Sequence, residues 1–323
     1  MRAITVRGFG GPEVLKLADA PDPRAHAGQV LVALKAAGVN PVEAYMRAGI
    51  YPRKPDLPYI PGTDGAGVIE AVASDVKSFK PGDRVYIYAL AGTYAEKAAV
   101  DASRVFPLPA KLSFEQGAAL GVPYGTAHRA LFLHGGARKG ETALIHGASG
   151  GVGVAAVQLA LRAGLTVIGT GGGAEGAAFV KSLGVHHALD HRAAGYQDEI
   201  LQLTGGKGVD VVIEMLANVN LPADLALAAP RGRITVVGSR GPVTIDPRAA
   251  MMKDVAIHGM SLWNMTDAER AEVHADLGRG LADGSIKPVV GARFPFAEAP
   301  KAHEAVMSSG ARGKIVLIPE ERS

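Results

Sequence analysis

The run Thr142-Ala-Leu-Ile-His-Gly-Ala-Ser-Gly-Gly-Val-Gly-Val-Ala-Ala-Val-Gln158 constrains this chain more than any other segment. Four apolar or small residues that read as a buried strand lead into a glycine-rich turn, and the turn leads into a helix of small and apolar residues. Glycine lacks a Cβ, so at Gly147, Gly150, Gly151 and Gly153 the backbone can approach a ligand closely. The helix that follows presents unpaired N–H groups and the positive end of its dipole, a ready place for a pyrophosphate.

The pattern is a variant of the Rossmann fingerprint, with Ala148 where the first glycine usually stands. Glycine turns between strand and helix also occur in plain α/β proteins, so the flanking sequence decides. Leu165–Thr170, Ala188–Asp190, Val209–Glu214 and Arg233–Gly238 read as further strands, separated by helical stretches over 174–183 and 196–204. That alternation predicts a doubly wound parallel sheet. Ligand contacts are then expected at the carboxyl ends of its strands, at Gly147–Gly153 and at the turn Val237-Gly-Ser-Arg240.

The chain of 323 residues is long enough for about two domains. A hydrophobic content of 48% against 20% charged residues allows large cores and argues against disorder. No stretch is long and apolar enough to span a bilayer, and Met1-Arg-Ala-Ile reads directly as a strand, so a cytoplasmic protein without a signal peptide is expected. The absence of cysteine excludes disulfides, thiolate catalysis and cysteine-ligated metals together. The net charge of +3 comes from dispersed Lys and Arg residues, and aromatic content is 5%, so nucleic acid is not an expected partner.

Residues 1–122 are rich in strand and turn patterns. They include Gly28–Gly38, Gly65–Val72 and the turn Lys80-Pro-Gly-Asp-Arg-Val-Tyr86, which together predict a partly closed β-barrel. Residues 123–262 form the α/β unit. The tail from 263 returns to helix, loop and strand, and Gly313-Lys-Ile-Val-Leu-Ile318 is expected to complete the first domain. The nucleotide domain is thus read as an insertion, with 1–122 and 263–323 forming the other domain.

From end to end the chain resembles the zinc-independent quinone oxidoreductases of the medium-chain dehydrogenase/reductase superfamily, especially the zeta-crystallin type. The resemblance lies in Phe9-Gly-Gly-Pro-Glu-Val-Leu-Lys-Leu17, Ala37-Gly-Val-Asn-Pro-Val-Glu43, Pro61-Gly-Thr-Asp64 and Lys80–Val85. It continues in His146–Gly153, Glu214-Met-Leu-Ala-Asn-Val-Asn-Leu221 and Val236-Val-Gly-Ser-Arg-Gly241. It implies a GroES-like catalytic domain with an inserted Rossmann domain, and NADPH-dependent reduction of quinones. It also implies a homo-oligomer, dimer or tetramer, built through the edge of the nucleotide domain.

Zinc-dependent relatives carry Cys where Asn40 stands and His where Thr63 stands, and a four-cysteine lobe for which Ala89-Leu-Ala-Gly-Thr93 leaves no room. An amide and a hydroxyl do not replace nitrogen and sulfur ligands, so no metal is expected. Glu43 and Asp64 remain and are read as solvated or hydrogen-bonded carboxylates. Without a metal, the reaction must need only hydride donation to an electrophilic acceptor. The resemblance points to Asn40 as orienting the cofactor's carboxamide or ribose. It points to Tyr45 as a contact to cofactor or substrate oxygen, with a half-buried scaffolding residue as the alternative. Tyr51 is a further pocket candidate.

Rossmann enzymes that use NAD carry an acid about 20 residues after the fingerprint for the ribose 2′-hydroxyl. Here Thr170-Gly-Gly-Gly173 has no carboxylate, and Glu175 lies further along, a ribose ligand only if the cofactor were NAD. His191 and Arg192 can reach a 2′-phosphate. The resemblance places Gly172 and His191 there, and Arg192 follows from its position, with a surface charge as the alternative. Ser149, Gly150, Gly151 and Val152 would hold the pyrophosphate. Asn220, Val237, Gly238, Ser239 and Arg240 would line the far side, and Met260, Ser261 and Leu262 the nicotinamide end. Two other readings stay open, an NADPH-dependent reductase of alkenal or enone double bonds and a non-catalytic structural or RNA-binding protein that binds NADPH.

Overall fold

The computed structural model describes residues 1–320. They divide into two compact units, Met1–Val122 with Lys287–Ser323, and Pro123–Ile286.

In the first unit, β1 (Arg2–Thr5) pairs with β2 (Lys16–Asp19). The long strand β3 (Gln29–Val39) is followed by the short helix α1 (Pro41–Arg47). Strands β4 (Asp64–Val72), β5 (Arg84–Tyr88), β6 (Lys97–Asp101) and β7 (Val105–Pro107) come next. Helix α2 (Phe114–Gly117) ends this half, and α3 (Gly121–His128) carries the chain into the second unit, running on as a π-helical turn over Arg129–His134.

The second unit is a wholly parallel sheet. Its strands are β8 (Thr142–Ile145), β9 (Thr166–Gly171), β10 (His187–Asp190), β11 (Val209–Glu214), β12 (Ala228–Val236) and β13 (Ala256–Gly259). They lie in the order β10-β9-β8-β11-β12-β13. The helices between them are α4 (Gly151–Arg162), α5 (Gly173–Ser182), α6 (Tyr196–Leu203), α7 (Ala217–Leu227) and α8 (Pro247–Met251), with α9 (Asp267–Asp283) after the last strand. Leu144, Ile168, Val212 and Ile234, one from each central strand, are essentially buried in one cluster with Leu221 and Leu225 of α7. Parallel strands covered on both faces need such continuous apolar runs. Strand order reverses between β8 and β11, and ligands of such sheets bind in the crevice at that switch point.

The chain then returns to the first unit with β14 (Val290–Pro295), α10 (Ala299–Met307) and β15 (Lys314–Ile318). One edge of β3 serves two partners, β6 along Gln29–Ala33 and β15 along Ala37–Val39, while its other edge pairs with β4. This branching draws the last strand into the middle of the sheet, where Ile315 and Leu317 share a core with Ile4, Val39 and Phe296.

Two expectations are corrected. The strand expected over Arg233–Gly238 begins earlier and ends at Val236, which leaves Val237–Arg240 outside the strand as a loop. Residues 263–286, expected with the first domain, cluster with the second unit instead. Their helix α9 is fixed locally by a capping box. Thr266 Oγ1 accepts from the Glu269 amide at 3.2 Å, and the Glu269 carboxylate accepts from the Thr266 amide at 2.8 Å. A forked Arg162–Asp276 pair, 2.8 and 3.1 Å, then ties α9 to α4. No helix among the described residues is long and apolar enough to cross a membrane.

Candidate active site

In the second unit the fingerprint turn follows from backbone geometry. Gly147 has φ +57°, and a Cβ on Gly153 would stand 2.2 Å from the Gly147 carbonyl oxygen, so only glycine permits this approach of α4 to the turn. The turn is tied to the end of β9, the Ala148 amide donating to Thr170 O at 2.8 Å and the Gly147 amide to Thr170 Oγ1 at 3.3 Å. Gly150 is extended and supplies no side-chain cap to α4. The first amides of the helix, at Gly151 and Val152, are therefore without a side-chain cap, the condition for an anion site at a helix N-terminus. Ser149 is half-buried beside them.

At the end of β9, Gly172 lies beneath two cationic-type side chains. A Cβ placed there would be 3.3 Å from Arg192 Nε and Nη2 and 3.3 Å from His191 Cε1. The Asp190 carboxylate below accepts from the amides of Gly173, 2.8 Å, and Arg192, 2.9 Å. These bonds hold its pKa below the usual carboxylate value and set the course of the chain so that 191 and 192 project over Gly172. Burial lowers the His191 pKa, which leaves Arg192 as the permanent cation of the pair. Glu175 is exposed in the first turn of α5.

Beneath the turn lies a group that the spacing of single residues did not reveal. His146, Glu214 and Asp224 are buried, with ligand-type atoms within 4.8 Å of one another, in a chain whose ten histidines show no ligand spacing along the sequence. His146 Nε2 lies 2.8 Å from Asp224 Oδ1 and 3.6 Å from Glu214 Oε2. Glu214 accepts from the Leu216 amide and, at 3.2 Å to each oxygen, from Asn220 Nδ2. Burial pushes Glu214 up to about 7, with the His146 charge opposing. For His146 burial acts to lower the pKa, but the Asp224 hydrogen bond and the two carboxylates outweigh it and the net shift is upward. A polar residue at the end of an otherwise apolar strand, as at Ile145-His146 and Ile213-Glu214, was the available signal.

The remaining candidates in this unit sit on connected loops. The Glu214 carbonyl accepts from Val237, 2.8 Å, and Gly238, 3.3 Å. The Gly238 carbonyl takes the Ala217 amide at 2.9 Å, and the Arg240 amide reaches Asn218 Oδ1 at 2.8 Å. Ser239 Oγ donates to Gly241 O at 2.8 Å. Ser239 and Arg240 are exposed. Met260 is buried and its amide donates to Val236 O at 3.0 Å, while Ser261 O accepts from Arg129 Nη1 at 2.9 Å and Leu262 packs near Gly125.

In the first unit, Asn40 is the N-cap of α1 rather than a member of it. Its side chain is fully engaged. Nδ2 lies within 3.0–3.3 Å of Asp64 Oδ2, Glu43 Oε1 and Thr63 Oγ1, and Oδ1 accepts from Lys314 Nζ. Glu43 accepts in addition from the amides of Asn40, 2.8 Å, and Thr63, 2.9 Å, and from the hydroxyls of Thr63, 2.7 Å, and Tyr94, 2.6 Å. Lys314 Nζ completes the cluster on Asp64 at 2.8 Å, and Asp64 Oδ1 takes the Val122 amide at 2.6 Å. Burial raises the Asp64 pKa against the pull of Lys314, and raises Tyr94 well above the ordinary phenol. The two carboxylates read from sequence as solvated or hydrogen-bonded are thus buried and hydrogen-bonded. Where a zinc enzyme gathers N and S ligands, this chain has an amide, a hydroxyl and an ammonium already bonded to one another, a donor set that does not suit zinc.

Tyr45 is half-buried, and its carbonyl accepts from the amides of Ile50 and Tyr51 at 3.1 and 3.3 Å, so the chain folds back to bring Tyr51 beside α1. A shallow recess beside it is lined by Met46, Tyr59, Pro61, Thr63 and Leu90. It also touches Glu43 and is too small to take a ring as it stands, and neither Tyr45 nor Tyr51 forms part of it.

Comparison with known proteins agrees with both units. The family described as an alcohol dehydrogenase GroES-like domain matches residues 26–110, and the zinc-binding dehydrogenase family matches residues 151–277. The rat quinone oxidoreductase is 50% identical over 323 residues, 98% of each chain. The Escherichia coli quinone oxidoreductase solved in complex with NADPH has a TM-score of 0.90 at 31% identity, covering 99% of this chain and 100% of that one. A mycobacterial protein, also solved with NADPH, gives 0.90 at 33% identity over 99% and 100%. With half its residues shared from end to end, this chain belongs to the quinone oxidoreductase family of the medium-chain dehydrogenase/reductase superfamily.

Proposed function

We propose that the protein reduces quinones with NADPH and without a metal. The observation that carries the cofactor is the cradle of Gly172, His191 and Arg192 at the end of β9, where a Cβ would fill the space a 2′-phosphate needs. The fingerprint turn fits the pyrophosphate because Gly150 puts no side-chain cap on the first amides of α4. Ser149 and Val152 belong to that turn, and Asn220, Val237–Arg240, Met260, Ser261 and Leu262 to the walls around the rest of the dinucleotide.

Bound NADPH supplies the hydride. The chain's own contribution is position and polarity. Arg192 and His191 anchor one end by charge and hydrogen bonding. Tyr45 and Tyr51 offer phenol hydroxyls to the cofactor or to the acceptor oxygen. Asn40, its amide spent on Glu43, Asp64 and Lys314, acts by fixing the start of α1 and hence the placement of Tyr45. A quinone is electrophilic without Lewis-acid help, and one hydride with one proton from water gives the hydroquinone.

The same reading carries a cytoplasmic homo-oligomer. Met251 and Met252 are 72% and 78% exposed just before the edge strand β13, whose Ile257 is 39% exposed, a row of apolar groups that a second copy would cover. The test is NADPH oxidation with an ortho-quinone, an alkenal and no acceptor. Turnover with the quinone above the blank is expected. Turnover with the alkenal alone would make the protein a double-bond reductase, and none with either would leave a non-catalytic NADPH-binding protein.

A further inference from the structure

We propose that His146, Asp224 and Glu214 are positioning residues for the coenzyme, one buried hydrogen-bonded network that holds three cofactor-lining segments together and loosens when the proton between its two carboxyls is lost. The proposal rests on the coenzyme reading above and adds to it how that site is held and what changes its affinity.

The three side chains come from three elements, the end of β8, the end of β11 and the middle of α7, and each is at most 4% exposed. Each also reaches a different part of the site. His146 opens the fingerprint turn, and its own amide is bonded to Ile213 O at 3.1 Å. Glu214 grips the Leu216 amide and Asn220 Nδ2 with its carboxyl, and the Val237 and Gly238 amides with its carbonyl. Asp224 joins the two through His146 at 2.8 Å. Its other oxygen, Oδ2, is buried and has no hydrogen-bond partner of fixed position. A protonated Glu214 is the neighbouring group with a proton to offer it, because the two carboxyls share one buried cluster whose ligand-type atoms lie within 4.8 Å of one another. In that state the site holds one imidazolium and one carboxylate, balanced and satisfied.

Ionising Glu214 removes that shared proton and sets a second negative charge against Asp224 in a buried space. The groups facing Glu214 are His146 and Asp224, and His191 after β10 senses the His146 charge in turn. The imidazolium cannot neutralise both carboxylates, so the strain falls on the least buried participants, Leu216 and Asn220. Burial has moved Glu214 to about 7, which puts this loosening near neutrality. The sign is therefore fixed, tighter coenzyme binding on the acid side and weaker binding on the alkaline side.

The experiment is a fluorescence titration of the full-length protein with NADPH and, in parallel, NADH from pH 6 to pH 9. NADH serves because the 2′-phosphate itself titrates near pH ~6 and would tighten NADPH binding in the opposite direction. The NADH dissociation constant is expected to rise roughly tenfold across neutrality, one pKa unit of linkage, with a smaller net rise for NADPH that is expected in its KM rather than in kcat. Glu214→Gln keeps a neutral donor toward Asp224 and should give a flat profile at the tight end. Asp224→Asn removes the charge that holds the proton on Glu214 and should move the step to lower pH, which gives a check independent of the first variant. Flat profiles for both cofactors in the wild type, or an unchanged step in Glu214→Gln, would overturn the proposal. So would stoichiometric binding of Zn2+ alone that Asp224→Asn abolishes, since the three side chains would then be ligands. Failure of NADPH to bind at any pH would instead sink the coenzyme reading itself.

Discussion

At the scale of single residues, the proposed cofactor cradle rests on Arg192 and on His191, whose pKa burial lowers. The Arg192 guanidinium projects from the exposed loop after β10, so a phosphate held there would be partly screened by solvent. Replacing Arg192 with Ala should cut the preference for NADPH over NADH by about tenfold, roughly 1.4 kcal/mol, and leave the NADH dissociation constant nearly unchanged. Calorimetric titration of both cofactors measures it, and an equal loss for each would show that the residue shapes the loop rather than reads the phosphate. Tyr45 poses a different question, because its ring and its hydroxyl have separate roles. Tyr45→Phe keeps the packing of a half-buried ring and deletes only the donor. A fall of about tenfold in kcat/KM for a quinone with unchanged NADPH affinity is expected if the hydroxyl faces the acceptor. An equal drop in cofactor affinity would put it on the dinucleotide, and no change would make Tyr45 scaffolding.

At the scale of elements, helix α9 shows which features were legible in the chain and which were not. Its capping box, Thr266 with Glu269, and its left-handed stop at Gly284 are local signals present in the sequence. Its allegiance is not local. It depends on Asp276 meeting Arg162, 114 residues earlier, and His128 at 3.4 Å. The same distinction separates the two halves of the candidate site. The strand Val209–Glu214 and the glycine turn follow from neighbouring residues and strand periodicity, and Arg192 from its place after a strand, whereas Gly172 and His191 rest on the family resemblance. Asp224 and His146 are 78 residues apart and meet only because β8 and β11 lie side by side, and Lys314 reaches Asp64 across 250 residues. The contacts of α9 also set an acid limit. Burial lowers the pKa of His128 and takes that of His274 to about 3, so both are neutral in the fold. Unfolded histidine titrates near ~6.5. The stability they carry is whole above that value and is lost as pH falls toward the folded values. The thermal midpoint should therefore drop steadily between pH 6.5 and pH 4, and His274→Gln should make that slope shallower. An identical slope in the variant would place the acid sensitivity elsewhere.

At the scale of the whole molecule, the position of zinc chemistry in the relatives is taken in the first unit by Asn40, Glu43, Thr63, Asp64 and Lys314, which bond to one another. Prolonged dialysis against a strong chelator is expected to leave both turnover and the thermal midpoint unchanged. Zinc found in stoichiometric amount in active protein, and lost together with activity, would contradict this. The place of β15 has a consequence of another kind, in the timing of synthesis. The second unit is one unbroken stretch, Pro123–Ile286, whereas the first needs Lys287 onward. Strand β15 fills the interior of the first unit's sheet, between β14 and β3, and brings in the ammonium that neutralises Asp64. A chain emerging from the ribosome N-terminus first therefore makes Asp64 and β3 early, with β4 and β6 to pair β3, but β15 and Lys314 follow only after the whole second unit has been joined. The nucleotide unit is complete before the unit that began it, and that early segment spends most of translation with an unpaired sheet edge and an uncompensated acid, the interval in which a nascent chain of this family most needs shelter.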